Sequence, residues 1–208
     1  MRKVGLLKCW GIFIVLSALT MGELYATDVL YLNRGNSFCR KGKYDLAISD
    51  YSKALELNPK YTEAYYNRGL AYYAKGEYDN AIGDFGMALE ISPVFVEAYN
   101  NRGIAYNDKG EFDRAISDFE KAIEINPKFA KAYYNRGNAY KNKGEYDRAI
   151  SDYNRAIELD PKFTDAYYNR GAAYKSKGDY DRAIANYDKA LDVNRPKPTK
   201  GSGNSGIR

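Results

Sequence analysis

One feature constrains the fold of this 208-residue chain more than any other: a 34-residue segment that recurs five times. With its glycine as position 8, the copies span residues 28–61, 62–95, 96–129, 130–163 and 164–194. The glycines at this position are Gly35, Gly69, Gly103, Gly137 and Gly171. The prolines that recur near the end of the first four copies are Pro59, Pro93, Pro127 and Pro161. A period of this length is typical of a stack of similar structural units.

The first half of each copy is predicted to be a helix, and the fourth copy shows why. Tyr133 and Tyr140 recur at helical spacing, and we expect Asn135-Arg136-Gly137 to open the helix. Lys143-Gly144 should end it, because a cation suits the end of a helix and glycine adopts a left-handed cap. The same Lys-Gly pair stands in every copy.

The second half of each copy is predicted to be another helix. In the fourth copy Asp147 is a candidate N-cap, and Asp160-Pro161 should end the helix because proline disfavours helix in the preceding residue. The apolar face consists of Ala149, Ile150, Tyr153, Ala156 and Ile157. One helical hairpin cannot bury such a face alone, so we expect neighbouring copies to stack.

This pattern resembles the tetratricopeptide repeat, in which W-x2-L-G-x2-Y is followed by A-x3-F and then P. Tyrosine fills the tryptophan position as Tyr31, Tyr65, Tyr99, Tyr133 and Tyr167. The alanine position holds Ala47, Ala81, Ala115, Ala149 and Ala183, and the aromatic position four residues later holds Tyr51, Phe85, Phe119, Tyr153 and Tyr187. The resemblance implies an all-α, right-handed superhelical solenoid of helix-turn-helix repeats, in which the recurring glycines, alanines and prolines are structural.

The resemblance also implies that the first helices line a concave groove that binds peptides. The groove positions carried over to this chain are 5, 6, 9, 12 and 13 of each repeat. The residues predicted to bind are those at position 6 (Asn33, Asn67, Asn101, Asn135 and Asn169), position 5 (Tyr66, Tyr134 and Tyr168) and position 12 (Lys141 and Lys175). An amide both donates and accepts hydrogen bonds, so a ladder of asparagines could pair with a peptide backbone. The alternative is that each asparagine hydrogen-bonds within its own repeat or faces water.

The leucine position of the family pattern holds an arginine in every copy: Arg34, Arg68, Arg102, Arg136 and Arg170. Position 23, on the second helix, holds Asp50, Asp84, Asp118, Asp152 and, in the fifth copy, Asn186. One hypothesis is that each arginine pairs with this residue and joins the two helices of its hairpin. The rival hypothesis is that the arginines face the groove and bind an acidic ligand.

Composition disfavours several classes of function. The chain has no histidine, and Cys9 and Cys39 lack the spacing of a metal site, so we predict no enzyme activity, no cofactor and no metal site. The net charge of +5 arises in the two ends of the chain, whereas the repeats have 25 Lys or Arg against 26 Asp or Glu. We therefore expect no nucleic-acid partner.

The two ends differ from the repeats. In residues 1–26, Arg2, Lys3 and Lys8 precede a short apolar run and small residues, which predicts a signal peptide cleaved after Ala26. The alternative is an uncleaved N-terminal membrane anchor. After cleavage Cys39 would be the only cysteine, a part-buried free thiol. Residues 195–208 are rich in Pro, Gly, Ser and Lys, which predicts a disordered basic tail.

These observations predict a non-catalytic scaffold that is exported to the periplasm or secreted. It would bind a peptide segment or partner protein in the concave groove. The alternative is an accessory subunit or carbohydrate-binding module of an exported enzyme complex, because grooves lined with Tyr and Asn also suit sugars. The fifth copy has no capping helix, so its outer face should be partly apolar and should self-associate or dock a partner.

Overall fold

The computed structural model describes residues 27–195, which form α-helices joined by short turns and contain no strand. The helices are α1 (27–40), α2 (Tyr44–Leu57), α3 (Thr62–Ala74), α4 (Tyr78–Ile91), α5 (Val96–Asp108), α6 (Phe112–Ile125), α7 (Ala130–Asn142), α8 (Tyr146–Leu159), α9 (Thr164–Ser176) and α10 (Tyr180–Asn194). The predicted all-α helical repeat fold is confirmed. The predictions for residues 1–26 and for the tail beyond residue 195 lie outside the described residues.

The helices belong to two compact units. The first unit, Met1–Pro127, contains α1 to α6, and the second, Lys128–Arg208, contains α7 to α10. Within each unit, every hairpin pairs the first and second helix of one copy and packs on the next hairpin along the chain. Along residues 27–195 no helix is both long and apolar enough to span a membrane.

The turn inside each hairpin depends on the Lys-Gly pair. Gly144 has a φ of 80°, and Gly42, Gly76, Gly110 and Gly178 are also in the left-handed region. This conformation lets the Glu145 N–H donate to the Tyr140 carbonyl at 2.9 Å and close the end of α7. The predicted glycine cap is therefore confirmed. The proline-linked stop is confirmed as well, since α8 ends at Leu159, just before Asp160-Pro161.

Two predictions about helix starts were wrong. α7 begins at Ala130, so Asn135-Arg136-Gly137 lie in the middle of the helix rather than at its start. α8 begins at Tyr146, which makes Asp147 the second helical residue and not the N-cap. Its carboxylate lies in the first turn, where its negative charge interacts favourably with the positive end of the helix dipole.

The recurring glycines let the two helices of a hairpin approach closely. A Cβ atom at Gly69 would lie 2.8 Å from Cε1 of Phe85, which is fully buried. The other four glycines of this position face the aromatic ring of their own hairpin in the same way. Alanines fill the rest of the contact, and Ala47, Ala81, Ala115 and Ala149 are fully buried. The aromatic residues of the first four copies, Tyr51, Phe85, Phe119 and Tyr153, are fully buried, so this part of the predicted apolar face lies in the core.

Arginine and aspartate join the helices of four hairpins. In the third, Arg102 donates from Nε to Oδ2 of Asp118 at 2.8 Å and from Nη2 to Oδ1 at 2.7 Å. The same two-bond contact joins Arg34 to Asp50, Arg68 to Asp84 and Arg136 to Asp152. The pairing hypothesis is confirmed. The rival hypothesis of a groove-facing arginine is wrong, because these guanidinium groups are turned to the second helix.

Candidate peptide-binding face

The first helices form the inner layer of each unit. α3 contacts α5 in the first unit and α7 contacts α9 in the second. Among the described residues, the second helices α4 and α6, or α8 and α10, do not contact one another. The first helices are therefore the more closely spaced layer, which lies on the inside of a bend. We name their exposed side, at positions 5, 6, 9 and 12, the inner face.

In the first unit, hydrogen bonds that cross from repeat to repeat order the inner face. The Asn67 amide donates to Oδ1 of Asn36 at 3.0 Å, and the Tyr51 hydroxyl donates to the same oxygen at 2.8 Å. One repeat further, Asn101 donates to the Tyr66 hydroxyl at 2.8 Å. Each of these two position-6 asparagines is thus held by the repeat that precedes it.

The second unit repeats this arrangement. Asn169 donates to the Tyr134 hydroxyl at 2.7 Å and to Oδ1 of Asn138 at 3.1 Å, and Asn138 also accepts from the Tyr153 hydroxyl at 2.8 Å. Lys141 donates to Oδ1 of Asn169 at 3.3 Å, and its partial burial lowers the pKa of its ammonium group. Burial raises the pKa of the Tyr134 hydroxyl, which therefore stays protonated at neutral pH.

These asparagines neither bond within their own repeat nor simply face water, because their hydrogen bonds cross to the neighbouring repeat. A side-chain amide has two N–H donors and a carbonyl oxygen. After its bond to Asn36, Asn67 keeps one N–H and its oxygen for another partner. The network therefore fixes the orientation of the amide without using all of its capacity.

The remaining predicted residues lie on the same face but are held less firmly. Asn33, Tyr168 and Lys175 are exposed, whereas Asn135 is half-buried. Tyr66 packs its ring against Phe95, with 4.7 Å between the ring centroids. The prediction that these residues contact a peptide stays a prediction.

Sequence reasoning missed the role of position 9. Asn36 and Asn138 each accept two hydrogen bonds and are the centres of the two networks. The pattern placed position 9 in the groove, but only these two copies have asparagine there, so it did not indicate this role. A partial signal did exist, since both copies also have tyrosine at position 24, and it is this hydroxyl that donates to each asparagine. The fifth copy has tyrosine there as well, but Ala172 stands at its position 9.

Within residues 27–195 no group of three or more His, Cys, Asp or Glu side chains is arranged to hold a metal ion. Cys39 is a free, part-buried thiol. The inner face instead presents amides, hydroxyl groups and ammonium groups, which recognise a ligand by hydrogen bonds.

Comparisons with known proteins agree with this geometry. A model described as the TPR repeat matches residues 35–76, 103–144 and 137–178, and one described as the tetratricopeptide repeat matches 62–95 and 164–195. The chain is similar to a crystal structure of MamA at 34% identity and a TM-score of 0.71, covering 76% of this chain and 93% of that chain. A comparison with curated proteins gave no match.

Two further solved structures are similar. YrrB, described as a TPR protein with an unusual peptide-binding site, is 28% identical with a TM-score of 0.67; the match covers 85% of this chain and 91% of YrrB. A thermophilic TPR protein of Thermus thermophilus is 26% identical with a TM-score of 0.65, and the match covers 80% of this chain and 91% of that one.

Proposed function

Because this chain belongs to the tetratricopeptide repeat family, we propose that it is a non-catalytic scaffold that binds an extended peptide segment of a partner protein. The family's fold supports protein–protein interaction in general. The finer proposal, an extended peptide on the inner face, depends on the contacts of that face in this chain.

The observation that carries the proposal is the fixed orientation of the position-6 amides. Asn67 and Asn101 are each held by a hydrogen bond from their Nδ2 to the preceding repeat. An extended peptide presents one backbone N–H and one C=O per residue, and an amide can meet both. Since the amides are already ordered, binding costs little side-chain entropy. YrrB, a similar structure, is described as having a peptide-binding site.

The charge on the inner face of the second unit suggests which peptides are preferred. Lys141 and Lys175 both stand at position 12, and Lys175 is exposed to solvent. An ammonium group binds a carboxylate by a charge-assisted hydrogen bond. We therefore expect the bound segment to contain an acidic side chain where it crosses α7 and α9.

The experiment is a selection from a random peptide library with the parent chain and with Asn67→Ala/Asn101→Ala as baits. The matched control is Glu56→Ala/Glu90→Ala, which removes two exposed carboxylates from the second helices. Peptides enriched by the parent and the control, but not by the asparagine variant of equal helicity, would support the proposal. Equal enrichment by all three baits would refute it, and binding of glycans without peptides would favour the carbohydrate-binding alternative.

We also propose that the chain works outside the cytoplasm, as the pattern of its first 26 residues predicts. Mass spectrometry of the chain recovered from the secreting host tests this proposal. A mature N-terminus at Thr27 would support export with cleavage. A chain recovered only in the cytoplasm with Met1 intact would contradict it.

A further inference from the structure

Neighbouring repeats within a unit are joined by polar contacts that recur at fixed positions. In one, aspartate at position 18 of a repeat pairs with lysine at position 14 of the next. The Asp45–Lys75 pair has a 2.7 Å separation and the Asp79–Lys109 pair 2.5 Å. In the second unit the same contact joins Asp147 to Lys177.

Two other contacts recur in both units. Nη1 of the arginine at position 7 donates to position 25 of the preceding repeat, as Arg68 does to Ser52 at 2.9 Å. In the second unit, Arg170 donates to Asn154 in the same way at 2.6 Å. The third contact is the bond from the position-6 asparagine to the tyrosine at position 5 of the preceding repeat.

The two ends of the repeat array hold the unmatched halves of these three contacts. The first repeat presents Lys41, Nη1 of Arg34, and Asn33, all of them exposed. The last repeat presents the exposed residues Asp181, Asp188 and Tyr168 at the complementary positions. Among the described residues, these six side chains lack the contacts between repeats that the same positions make inside the units. Arg34 bonds to Asp50 through Nε and Nη2, not Nη1, and Tyr168 makes a ring contact with Tyr187.

Apolar surface accompanies these polar groups at both ends. Leu191 of α10 is 68% exposed, whereas Leu55, at the same position of the first repeat, is covered by the second repeat and is 7% exposed. At the other end Leu30 is 65% exposed, whereas Ala64, at the same position of the second repeat, is fully buried. Each end therefore exposes the kind of surface that a neighbouring repeat covers inside the units.

We propose that the chain self-associates head to tail, with the last hairpin of one copy docked on the first hairpin of a second copy. The joint pairs Asp181 with Lys41, Asp188 with Arg34, and Tyr168 with Asn33 of the neighbouring copy. All three pairs are complementary in charge or in hydrogen bonding. The two faces differ, so the contact is heterologous, and each copy keeps one face of either kind for a further copy.

Two positions depart from the internal pattern and weaken the joint. Leu30 replaces an alanine and needs more space than the internal repeats provide. Lys175 would meet Arg40 where, inside the first unit, Tyr73 donates to Asp108. The association is therefore reversible and depends on concentration.

Sedimentation velocity of the full-length chain at low ionic strength, over a series of concentrations, tests the proposal. We expect the weight-average mass of the parent to rise with concentration. Lys41→Asp and Asp181→Lys each place like charges at the joint, so each alone should raise the dissociation constant about tenfold, which corresponds to about 1.4 kcal/mol. A mixture of the two variants should recover association. In the mixture, the unchanged Asp181 of the Lys41→Asp variant can pair with the unchanged Lys41 of the Asp181→Lys variant, and the two substituted positions are also opposite in charge.

Matched controls separate the joint from general surface effects. Leu191→Gln should weaken association, whereas Val94→Gln, which removes an equally exposed side chain from the α4–α5 turn, should not. Glu90→Lys changes the net charge as Asp181→Lys does, away from the joint, and should associate as the parent does. A parent chain that stays monomeric throughout, or variants that associate as the parent does, would overturn the proposal.

Discussion

Arg68 and Asp84 join the helices of the second hairpin by two parallel hydrogen bonds, from Nε to Oδ2 at 2.7 Å and from Nη2 to Oδ1 at 2.8 Å. The bond to the carboxylate raises the pKa of the Arg68 guanidinium. The fifth hairpin has Asn186 in this place, which accepts only from Nε of Arg170. There burial dominates and lowers the pKa of the guanidinium. Aspartate is thus the partner that offsets the cost of burying the arginine.

This relationship predicts the effect of removing the carboxylate in the third hairpin. Asp118→Ala leaves the part-buried Arg102 without its anion, so we expect the free energy of unfolding to fall by about 1.5–3 kcal/mol. Asp118→Asn should cost less, because an amide still accepts from Nε as Asn186 does. Urea denaturation followed by circular dichroism measures both. Equal losses for the two variants would contradict the partial role of the amide, and no loss for either variant would show that the charge pair does not stabilise the hairpin.

Two glycines in one hairpin should respond in opposite directions to alanine. Gly69→Ala forces a methyl group against the buried ring of Phe85, so we expect a loss of about 1–3 kcal/mol in unfolding free energy. Gly83 lies within α4, and no atom outside its own helix lies within 4 Å of the added Cβ, so Gly83→Ala should gain about 1 kcal/mol from helix propensity. Thermal denaturation of the two variants and the parent measures the change in stability. A stabilised Gly69→Ala variant would contradict the close approach of α3 and α4.

Asn36 and Asn33 lie on the same helix and should differ in their effect on stability. Asn36→Ala leaves the buried Tyr51 hydroxyl without its acceptor and also removes the partner of Asn67, so we expect a loss of about 1–3 kcal/mol. Asn33 is exposed, so Asn33→Ala should stay within about 0.5 kcal/mol of the parent. Urea denaturation of the parent and the two variants measures both changes in unfolding free energy. Similar losses at both positions would refute the hydrogen-bond network centred on Asn36.

Buried tyrosines predict loss of stability at alkaline pH. Burial raises the pKa of Tyr51, Tyr66 and Tyr153 above the ordinary value of 10.0. A group with a raised folded-state pKa gives its full stability below the unfolded-state value and loses it as the pH rises toward the folded-state value. We therefore expect the unfolding free energy to fall once the pH exceeds that ordinary value. The last part of the rise in tyrosinate absorbance, from the buried tyrosines, should coincide with the loss of helical circular dichroism. Ionisation of all tyrosines in a folded chain would contradict this.

The fold was predictable because its determinants recur. The spacing of Gly69 and Phe85 repeats in five copies, and so does that of Arg102 and its partner at position 23, so each contact is indicated several times. The helix starts were mispredicted because Asp147 fits both an N-cap and a first helical turn, and residue type alone does not separate the two. The asparagine network escaped prediction because the partner of each amide depends on two residues of the preceding repeat that vary among the copies.

The central claim is that ordered amides of the inner face bind a peptide backbone, and one calorimetric titration tests it most directly. A peptide selected by the parent chain is compared with a version in which an ester replaces one backbone amide opposite Asn67, which removes the N–H and keeps the side chains. We predict that the ester weakens binding to the parent by about 1 kcal/mol, as loss of one hydrogen bond does, and has no such effect on Asn67→Ala. Equal affinity of the two peptides for the parent at every ester position tried would contradict the claim.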